Sequence, residues 1–301
     1  MLITENLLII TIVSLGGIGL VSAVILYLVS RRFKVYEDPR IKIIEEMLPQ
    51  ANCGGCGQAG CHGFAESCVK SPTLSGLFCP VGGAELMNNI TSVLGKEAEK
   101  NIPRIAVVRC NGSCRNRSRT SRYDGAPSCS IEAALYKGDT DCAFGCLGHG
   151  DCQKACLFDA IRIDPDTGIP VVDEEKCTAC GACVKACPRG IIELRKKGPK
   201  SRRIYVECVN QEKGATARKA CKAACIGCSK CVQVCPFEAI EVRNHLAYID
   251  DNKCRLCRKC TEVCPTSAIR SVHFPPKKER VAPATDTVEK QNQKGNESPI
   301  C

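Results

Sequence analysis

Two cysteine runs in the last third of the chain constrain its fold more than any other feature. Each run has three cysteines at intervals of two intervening residues, then a fourth cysteine followed by proline. Three thiolates with this spacing curl the backbone around one face of a metal cluster, whereas the fourth points away and must ligate a different cluster. The runs comprise Cys225, Cys228, Cys231 and Cys235, and then Cys254, Cys257, Cys260 and Cys264.

The two runs predict a pair of four-iron clusters with crossed ligands, the arrangement of bacterial two-cluster ferredoxins. Zinc is the main alternative because it also binds four thiolates from such pairs, but it leaves the fourth cysteine and proline of each run unexplained. The predicted ligand sets are Cys225, Cys228, Cys231 and Cys264 for one cluster, and Cys254, Cys257, Cys260 and Cys235 for the other.

An earlier segment repeats this pattern imperfectly. Aligning Cys156 with Cys235 places Cys142 on Cys221 and His149 on Cys228, so the earlier module lacks one regular ligand. Either Cys142 or His149 replaces that ligand, and thiolates are the usual choice for such clusters. The predicted sets are Cys142, Cys146, Cys152 and Cys187 for one cluster, and Cys177, Cys180, Cys183 and Cys156 for the other.

A glycine-rich segment near the start of the chain predicts a fifth cluster. Its glycines let the backbone pass close to a bulky group and donate N–H groups to its sulfurs. Cys68 lies between the third and fourth of its cysteines and is interpreted as a buried thiol on a helix. The predicted ligands are Cys53, Cys56, Cys61 and Cys79.

Residues 7–29 contain no charged side chain and are long enough to cross a membrane as a helix. A cleaved signal peptide is the alternative, but the basic residues Arg31, Arg32 and Lys34 follow the apolar stretch instead of preceding it. This charge distribution predicts a single-pass anchor in the cell (inner) membrane, with the bulk of the chain on the cytoplasmic side. Because that compartment is reducing, its cysteines are expected to bind metal and not to form disulfides.

The chain has 27 cysteines and a formal net charge of +10, counted with neutral thiols. Five oxidised clusters would contribute a charge of roughly −10, so the basic excess does not indicate nucleic-acid binding. Six basic residues within residues 195–203 have two open interpretations, a solvated linker or a docking surface for an acidic ferredoxin. No Ser-His-Asp arrangement, P-loop or nucleotide-binding glycine motif occurs, so we expect an electron carrier with no catalytic residues of its own.

Five cysteines in the middle of the chain remain without a predicted cluster: Cys110, Cys114, Cys129, Cys208 and Cys221. Cys110 and Cys208 end similar strand-like segments and are repeat mates. Three interpretations stay open: free thiols, a redox pair, or a sixth cluster ligated by Cys110, Cys114, Cys208 and Cys221.

The apolar N-terminal stretch, the segment ANCGGCGQAGCHGFAE, the segment CPVGG and the cysteine runs occur in a specific order. In this order they resemble the iron–sulfur B subunit of the Rnf complex, the ion-translocating ferredoxin:NAD oxidoreductase of bacteria, over about residues 5–272. The resemblance implies a cysteine at the position of Cys142. It also implies a soluble ferredoxin as electron donor, partner subunits that bind flavin and NAD, and pumping of sodium ions or protons. An electron-transfer subunit of another membrane hydrogenase or dehydrogenase, or an iron–sulfur sensor, is the alternative.

These observations predict an α+β protein with a transmembrane helix, a small helical four-cysteine domain and two tandem ferredoxin-like modules. Polar composition predicts disorder at the end of the chain, where Cys301 is not expected to be a ligand. The predicted boundaries are 1–30 for the anchor, 31–100 for the four-cysteine domain, 101–141 for a connecting strand and Cys/Arg-rich segment, 142–195 for module 1, 196–220 for a basic linker and strand, 221–272 for module 2 and 273–301 for the tail.

Overall fold

A computed structural model describes residues 2–32, 37–97 and 102–275 of the chain. Helix α1, Leu2–Arg32, contains the apolar segment Ile12–Arg32, which has a mean hydropathy of 2.4 and the length and composition of a membrane span. The side chains that follow residue 11 in this helix are exposed, and Arg31 and Arg32 end it. Lys34, the predicted tail beyond residue 275 and Cys301 lie outside the described residues.

Three helices form the small domain after the anchor: α2 (Pro39–Met47), α3 (Gly60–Lys70) and α4 (Gly83–Leu94). Pro39 occupies the first turn of α2, and the side chain of Asp38 caps this helix by accepting a hydrogen bond from the backbone N–H of Arg40. Apolar side chains from all three helices form one core, in which Ile44, Phe64 and Ile90 are almost completely buried.

Two modules with the same order of elements follow, each built as strand, two helices, a strand pair, a helix and a final strand. Module 1 contains β1 (Arg104–Val108), α5 (Cys129–Leu135), α6 (Asp151–Lys154), β2 (Ile161–Ile163), β3 (Pro170–Val172), α7 (Ala182–Ala186) and β4 (Ile192–Lys196). After a 3₁₀ turn (Pro199–Ser201), module 2 contains β5 (Arg203–Val206), α8 (Gly214–Ala220), α9 (Lys230–Gln233), β6 (Ile240–Arg243), β7 (Leu246–Ile249), α10 (Lys259–Val263) and β8 (Ile269–Val272).

The first and last strands of each module pair with each other. Strand β1 runs antiparallel to β4, and β5 runs antiparallel to β8, while β2–β3 and β6–β7 form antiparallel hairpins. Each module therefore includes the strand that precedes its cysteine run, which the sequence analysis assigned to the connecting segments 101–141 and 196–220. The expected α+β class is confirmed.

The outer strand pairs hold the two modules together. Ile105 and Val107 of β1 pack against Tyr205 of β5, and the backbone N–H of Asn111 donates to the carbonyl of Glu207 at 3.1 Å. The buried guanidinium of Arg109 donates to the carbonyls at positions 206 and 208 across this junction. Because these contacts are buried and directional, the modules form one continuous body.

The basic stretch 195–203 belongs to this junction. Arg195 is buried over the ring of Tyr248, and the guanidinium of Arg203 is buried in an ion pair with Glu174. Of the six basic residues in this stretch, Lys200 is the one classed as exposed. The structure therefore favours a structural role for this stretch over a docking surface.

Candidate iron–sulfur sites

The small helical domain gathers its four predicted ligands at one end. Cys53 and Cys56 lie in the turn before α3, Cys61 lies in the first turn of α3, and Cys79 precedes α4. The backbone N–H of Gly82 is 3.4 Å from the sulfur of Cys79, an N–H to sulfur contact typical of cluster ligands. Gly54, Gly57 and Gly60 have positive φ angles of 64°, 81° and 90°, which lets the turn curl without side-chain clashes.

Cys68 is fully buried on α3, as the sequence analysis expected of a structural thiol. Burial raises the pKa of its thiol to about 11, although nearby Lys96 opposes this shift. The ammonium of Lys96 is instead hydrogen-bonded to three carbonyls that include those of Cys68 and Val69. His62 is half exposed and pairs with Glu45 on α2.

The four-cysteine domain contacts module 1 directly beside two predicted ligands. A Cβ atom placed on Gly55, between Cys53 and Cys56, would lie 2.8 Å from the carbonyl oxygen of Cys180. The close approach requires glycine, because a larger residue would overlap this backbone. The cysteine-rich faces of the two domains are therefore adjacent.

Module 2 places its thiols in the crossed arrangement. Three cysteines of the first run and the last cysteine of the second run line one cavity, which opens partly to solvent: Cys225, Cys228, Cys231 and Cys264. At the other predicted site of module 2, burial raises the pKa of the Cys254 thiol, and the nearby Cys257 and Cys235 raise this pKa further. The thiols of Cys228 and Cys257 are the exposed ones in this module.

The regular site of module 1 is built in the same way. Burial raises the pKa of the Cys183 thiol to about 12, with further contributions from Cys177, Cys180 and Cys156. The backbone N–H of Ala160 lies 3.4 Å from the sulfur of Cys156. Leu157, which stands where proline is usual, is 64% exposed.

The cavity at the second predicted site of module 1 is lined by three of the four predicted ligands. The thiols that line it are Cys129, Cys146, Cys152 and Cys187, without Cys142. Helix α5 brings Cys129 to this cavity because its first turn is tied to α6. Asp151, the first residue of α6, accepts hydrogen bonds from the hydroxyl of Ser128 at 2.9 Å and the backbone N–H of Ser130 at 3.0 Å.

His149, the other predicted substitute ligand, is held away from this cavity. Its Nε2 atom pairs with the carboxylate of Glu132 on α5, a side chain that is completely buried. The other carboxylate oxygen of Glu132 accepts the backbone N–H of Asp139 at 2.9 Å. His149 therefore positions α5, the helix that carries Cys129.

Sequence reasoning left Cys129 unassigned because it lies far upstream of the cysteines with which it lines this cavity. The available signal was the missing regular ligand of module 1, combined with an unassigned cysteine in the preceding segment. Of the residues suggested for a sixth cluster, Cys110, Cys208 and Cys221 line one cavity together with Cys142. Cys114 does not line that cavity, and its sulfur is 3.5 Å from the carbonyl oxygen of Thr167.

The thiols surround spaces and do not converge on points. Within the described ranges, no group of three or more His, Cys, Asp or Glu side chains is close enough to hold a single metal ion. Four thiols around one cavity are the ligand set of a four-iron cluster, so the residues present fit that group.

The paired modules and their crossed thiol sites define the class of protein as a ferredoxin-type iron–sulfur electron carrier. Models of known domain families agree: a 4Fe-4S dicluster domain matches residues 224–268, a 4Fe-4S binding domain matches residues 170–193, and an Fe-S cluster family matches residues 48–73.

Three relatives place the chain more narrowly. One is the B subunit of the Na(+)-translocating ferredoxin:NAD(+) oxidoreductase complex of Acetobacterium woodii. The two proteins are 41% identical in an alignment that covers 83% of this chain and 74% of the relative. The B subunit of the proton-translocating ferredoxin:NAD(+) oxidoreductase complex of Clostridium ljungdahlii is 37% identical, and that alignment covers 83% of this chain and 86% of the relative. The B subunit of the ion-translocating oxidoreductase complex of Methanosarcina acetivorans is 38% identical over 83% of the chain and 93% of that protein. The chain belongs to the B-subunit family of ion-translocating ferredoxin:NAD oxidoreductase (Rnf) complexes.

Proposed function

We propose that this chain holds at least five [4Fe-4S] clusters and carries single electrons from a soluble reduced ferredoxin to other subunits of an Rnf-type complex. When bound, each cluster supplies a group that accepts and releases one electron. The observation that carries the proposal is the crossed arrangement of thiols in module 2, where Cys264 of the second run completes the cavity of the first.

Contacts between the cysteine-bearing segments support this proposal. Within each module the two cysteine-bearing helices pack together, α6 against α7 and α9 against α10. Between domains, Gly55 lies against the backbone of Cys180 and joins the four-cysteine site to module 1. The proposed ligands are those of the sequence analysis, except that Cys129 replaces Cys142 in the second site of module 1.

Module 2 is the proposed entry point for electrons. Its ligands Cys228 and Cys257 are exposed, so a cluster there lies closer to solvent than one whose ligands are all covered. Exposed basic side chains, Lys253, Arg255 and Lys259, flank Cys257 in the sequence. An acidic ferredoxin would be steered to this face, and the rate of encounter should fall with added salt.

Helix α1 would fix the chain to the membrane, with residues after it on the cytoplasmic side because Arg31 and Arg32 follow the apolar segment. The remaining subunits of the complex, which would bind flavin and NAD and pump sodium ions or protons, would receive the electrons. Ion pumping and NAD reduction are proposed for the complex and not for this chain alone.

The test uses the full chain in detergent, loaded anaerobically with iron and sulfide. Chemically reduced ferredoxin is mixed with it in a stopped-flow instrument, and bleaching of the cluster absorbance is followed at several salt concentrations. We expect reversal of all three charges, with Lys253→Glu, Arg255→Glu and Lys259→Glu, to slow reduction about tenfold at low salt.

Lys185→Glu is the matched control because Lys185 is an exposed basic residue beside the ligands of module 1. This variant should reduce at the wild-type rate if electrons enter through module 2. Clusters that stay oxidised in the presence of excess reduced ferredoxin would overturn the proposed function itself.

A further inference from the structure

We infer that the chain holds a sixth [4Fe-4S] site, built between the two modules from Cys110, Cys142, Cys208 and Cys221. This inference deepens the proposed function and rests on it for its role, although its ligands can be tested independently. The set differs from the one that the sequence suggested, because Cys142 takes the place of Cys114.

The four thiols line one cavity at the junction of the modules. Two other cavities, one formed by the regular run of module 2 and one that contains Cys129, are likewise lined by four cysteines each. All four cysteines at the junction are buried. A space lined by the same number of thiols is suited to the same kind of cluster.

Gly112 and Asn210 each lie near two of the four sulfurs, one from module 1 and one from module 2. The four sulfurs are therefore close together. A Cβ atom placed on Gly112 would lie 3.3 Å from the sulfur of Cys110 and 4.0 Å from the sulfur of Cys221. On the opposite side, Asn210 donates from its backbone N–H to the sulfur of Cys208 at 3.4 Å and from its side chain to the sulfur of Cys142 at 3.5 Å. Such N–H donors stabilise the charge on cluster sulfurs.

The site follows the internal repeat of the chain. Cys110 and Cys208 occupy the same place after β1 and β5, two residues beyond the end of each strand. The alignment of the two modules also places Cys142 on Cys221. The four ligands are therefore two pairs of repeat mates, one member of each pair from each module.

Arg117 provides an independent indication that this cavity holds an anion. Its side chain lines the cavity and is only 6% exposed. One guanidinium nitrogen donates to the carbonyl of Cys146, but Nε and Nη2 have no hydrogen-bond partner within the described part of the chain. A buried, unsatisfied cation is costly unless an anion compensates it, and an oxidised four-iron cluster with four thiolates carries a formal charge of about −2.

The position of the site links the two modules. Cys110 belongs to the same buried cluster as Cys146, a proposed ligand in module 1. Cys208 belongs to the same buried cluster as Cys225, a proposed ligand in module 2. A cluster here would receive one electron from the reduced cluster of one module and pass that electron to the oxidised cluster of the other.

The experiment counts iron and acid-labile sulfide per full-length chain after anaerobic loading. We expect about 24 iron atoms in the wild type and about 20 in Cys221→Ser. The double variant Cys142→Ser with Cys221→Ser should also hold about 20, because both residues serve one cluster. Cys129→Ser with Cys142→Ser should hold about 16, because these residues serve different clusters. Cys114→Ser is the control and should retain about 24.

About 20 iron atoms in the wild type, unchanged by Cys221→Ser, would overturn the sixth site and leave a five-cluster carrier intact. Loss of about eight atoms from the Cys142→Ser, Cys221→Ser pair would overturn the shared ligand set. If the variants fail to fold and lose all iron, the wild-type count decides between the two numbers. Failure of reduced ferredoxin to bleach the clusters would overturn the proposed function without changing these counts.

Discussion

Module 1 and module 2 share one topology but obtain one of their ligands in different ways. Module 2 presents an exposed thiol, Cys228, where module 1 has His149. In module 1, Cys129 lines the corresponding cavity from the start of a helix that is fixed by the buried pair of Glu132 and His149. Two modules can therefore keep the same fold while a corresponding thiol comes from a different helix or loop in each. Of the described cysteines in the two modules, Cys228 and Cys257 of module 2 are the exposed ones.

The largest expected effect tests the ligand difference itself. Cys129→Ser should remove about four iron atoms, as Cys228→Ser should in module 2, because each thiol completes one cluster. Combining Cys129→Ser with Cys152→Ser should remove no more than either change alone. His149→Gln should retain the iron, since its side chain pairs with Glu132. Iron analysis and EPR of the reduced protein provide the measurements, and full iron retention by Cys129→Ser would break the comparison.

Two equivalent glycines give the next effect. Both have positive φ angles, 64° at Gly227 and 85° at Gly148, but a Cβ atom would lie 2.6 Å from the carbonyl oxygen of His245 in module 2 and 3.4 Å from that of Gly168 in module 1. Gly148→Ala should cost about 1–2 kcal/mol for the left-handed backbone alone. Gly227→Ala should cost about 3–4 kcal/mol because overlap with the backbone is added.

Anaerobic denaturant unfolding of the two loaded glycine variants measures this difference. Equal losses of stability would show that the loop around His245 yields and that the modules are equally tolerant at this position.

Removing the carboxylate that fixes α5 should affect module 1 selectively. Glu132→Ala leaves His149 and the backbone N–H of Asp139 without their acceptor in a buried site, which should cost about 2–3 kcal/mol. Iron should then be lost to a chelator sooner from the site that contains Cys129 than from the sites of module 2. Glu132→Gln, which keeps an acceptor, is the control, and a chelation rate that Glu132→Ala leaves unchanged would contradict the role of α5.

The smallest expected effect concerns the contact between the modules. Burial opposes ionisation of Glu174 in module 1, but hydrogen bonds from Arg203 and His273 of module 2 outweigh it and lower its pKa below the ordinary value of 4.5. A lowered pKa contributes stability above about pH 4.5 and loses it as the pH falls through the folded value. Glu174→Gln should therefore cost up to about 1 kcal/mol at pH 7, with a smaller difference from wild type near pH 4.

Unfolding of wild type and Glu174→Gln is compared at each pH, so that acid effects on the clusters are common to both. Glu241→Gln is the control because Glu241 and its partner Arg243 are exposed within one module. A difference between wild type and Glu174→Gln that is independent of pH would rule out ionisation of Glu174 as its source.

The regular cysteine runs could be interpreted from sequence because their geometry is local. Ligands two residues apart, such as Cys177 and Cys180, must face the same cluster whatever the rest of the chain does. The apolar helix and the order of domains were predictable for a similar reason, since length, hydropathy and repetition are properties of the sequence itself. The basic stretch 195–203 was less predictable, because burial of Arg195 and Arg203 depends on partners in other elements.

The sequence by itself determined that two modules repeat, and it predicted several four-thiol sites with crossed ligands. Only the tertiary structure decided which distant thiols line the irregular cavities. Cys129 reaches its cavity because α5 is tied to α6, and Cys142 reaches the junction because β1 and β5 pack together. Spacing constrains ligands within a few residues, whereas ligands on different elements meet only after those elements have packed.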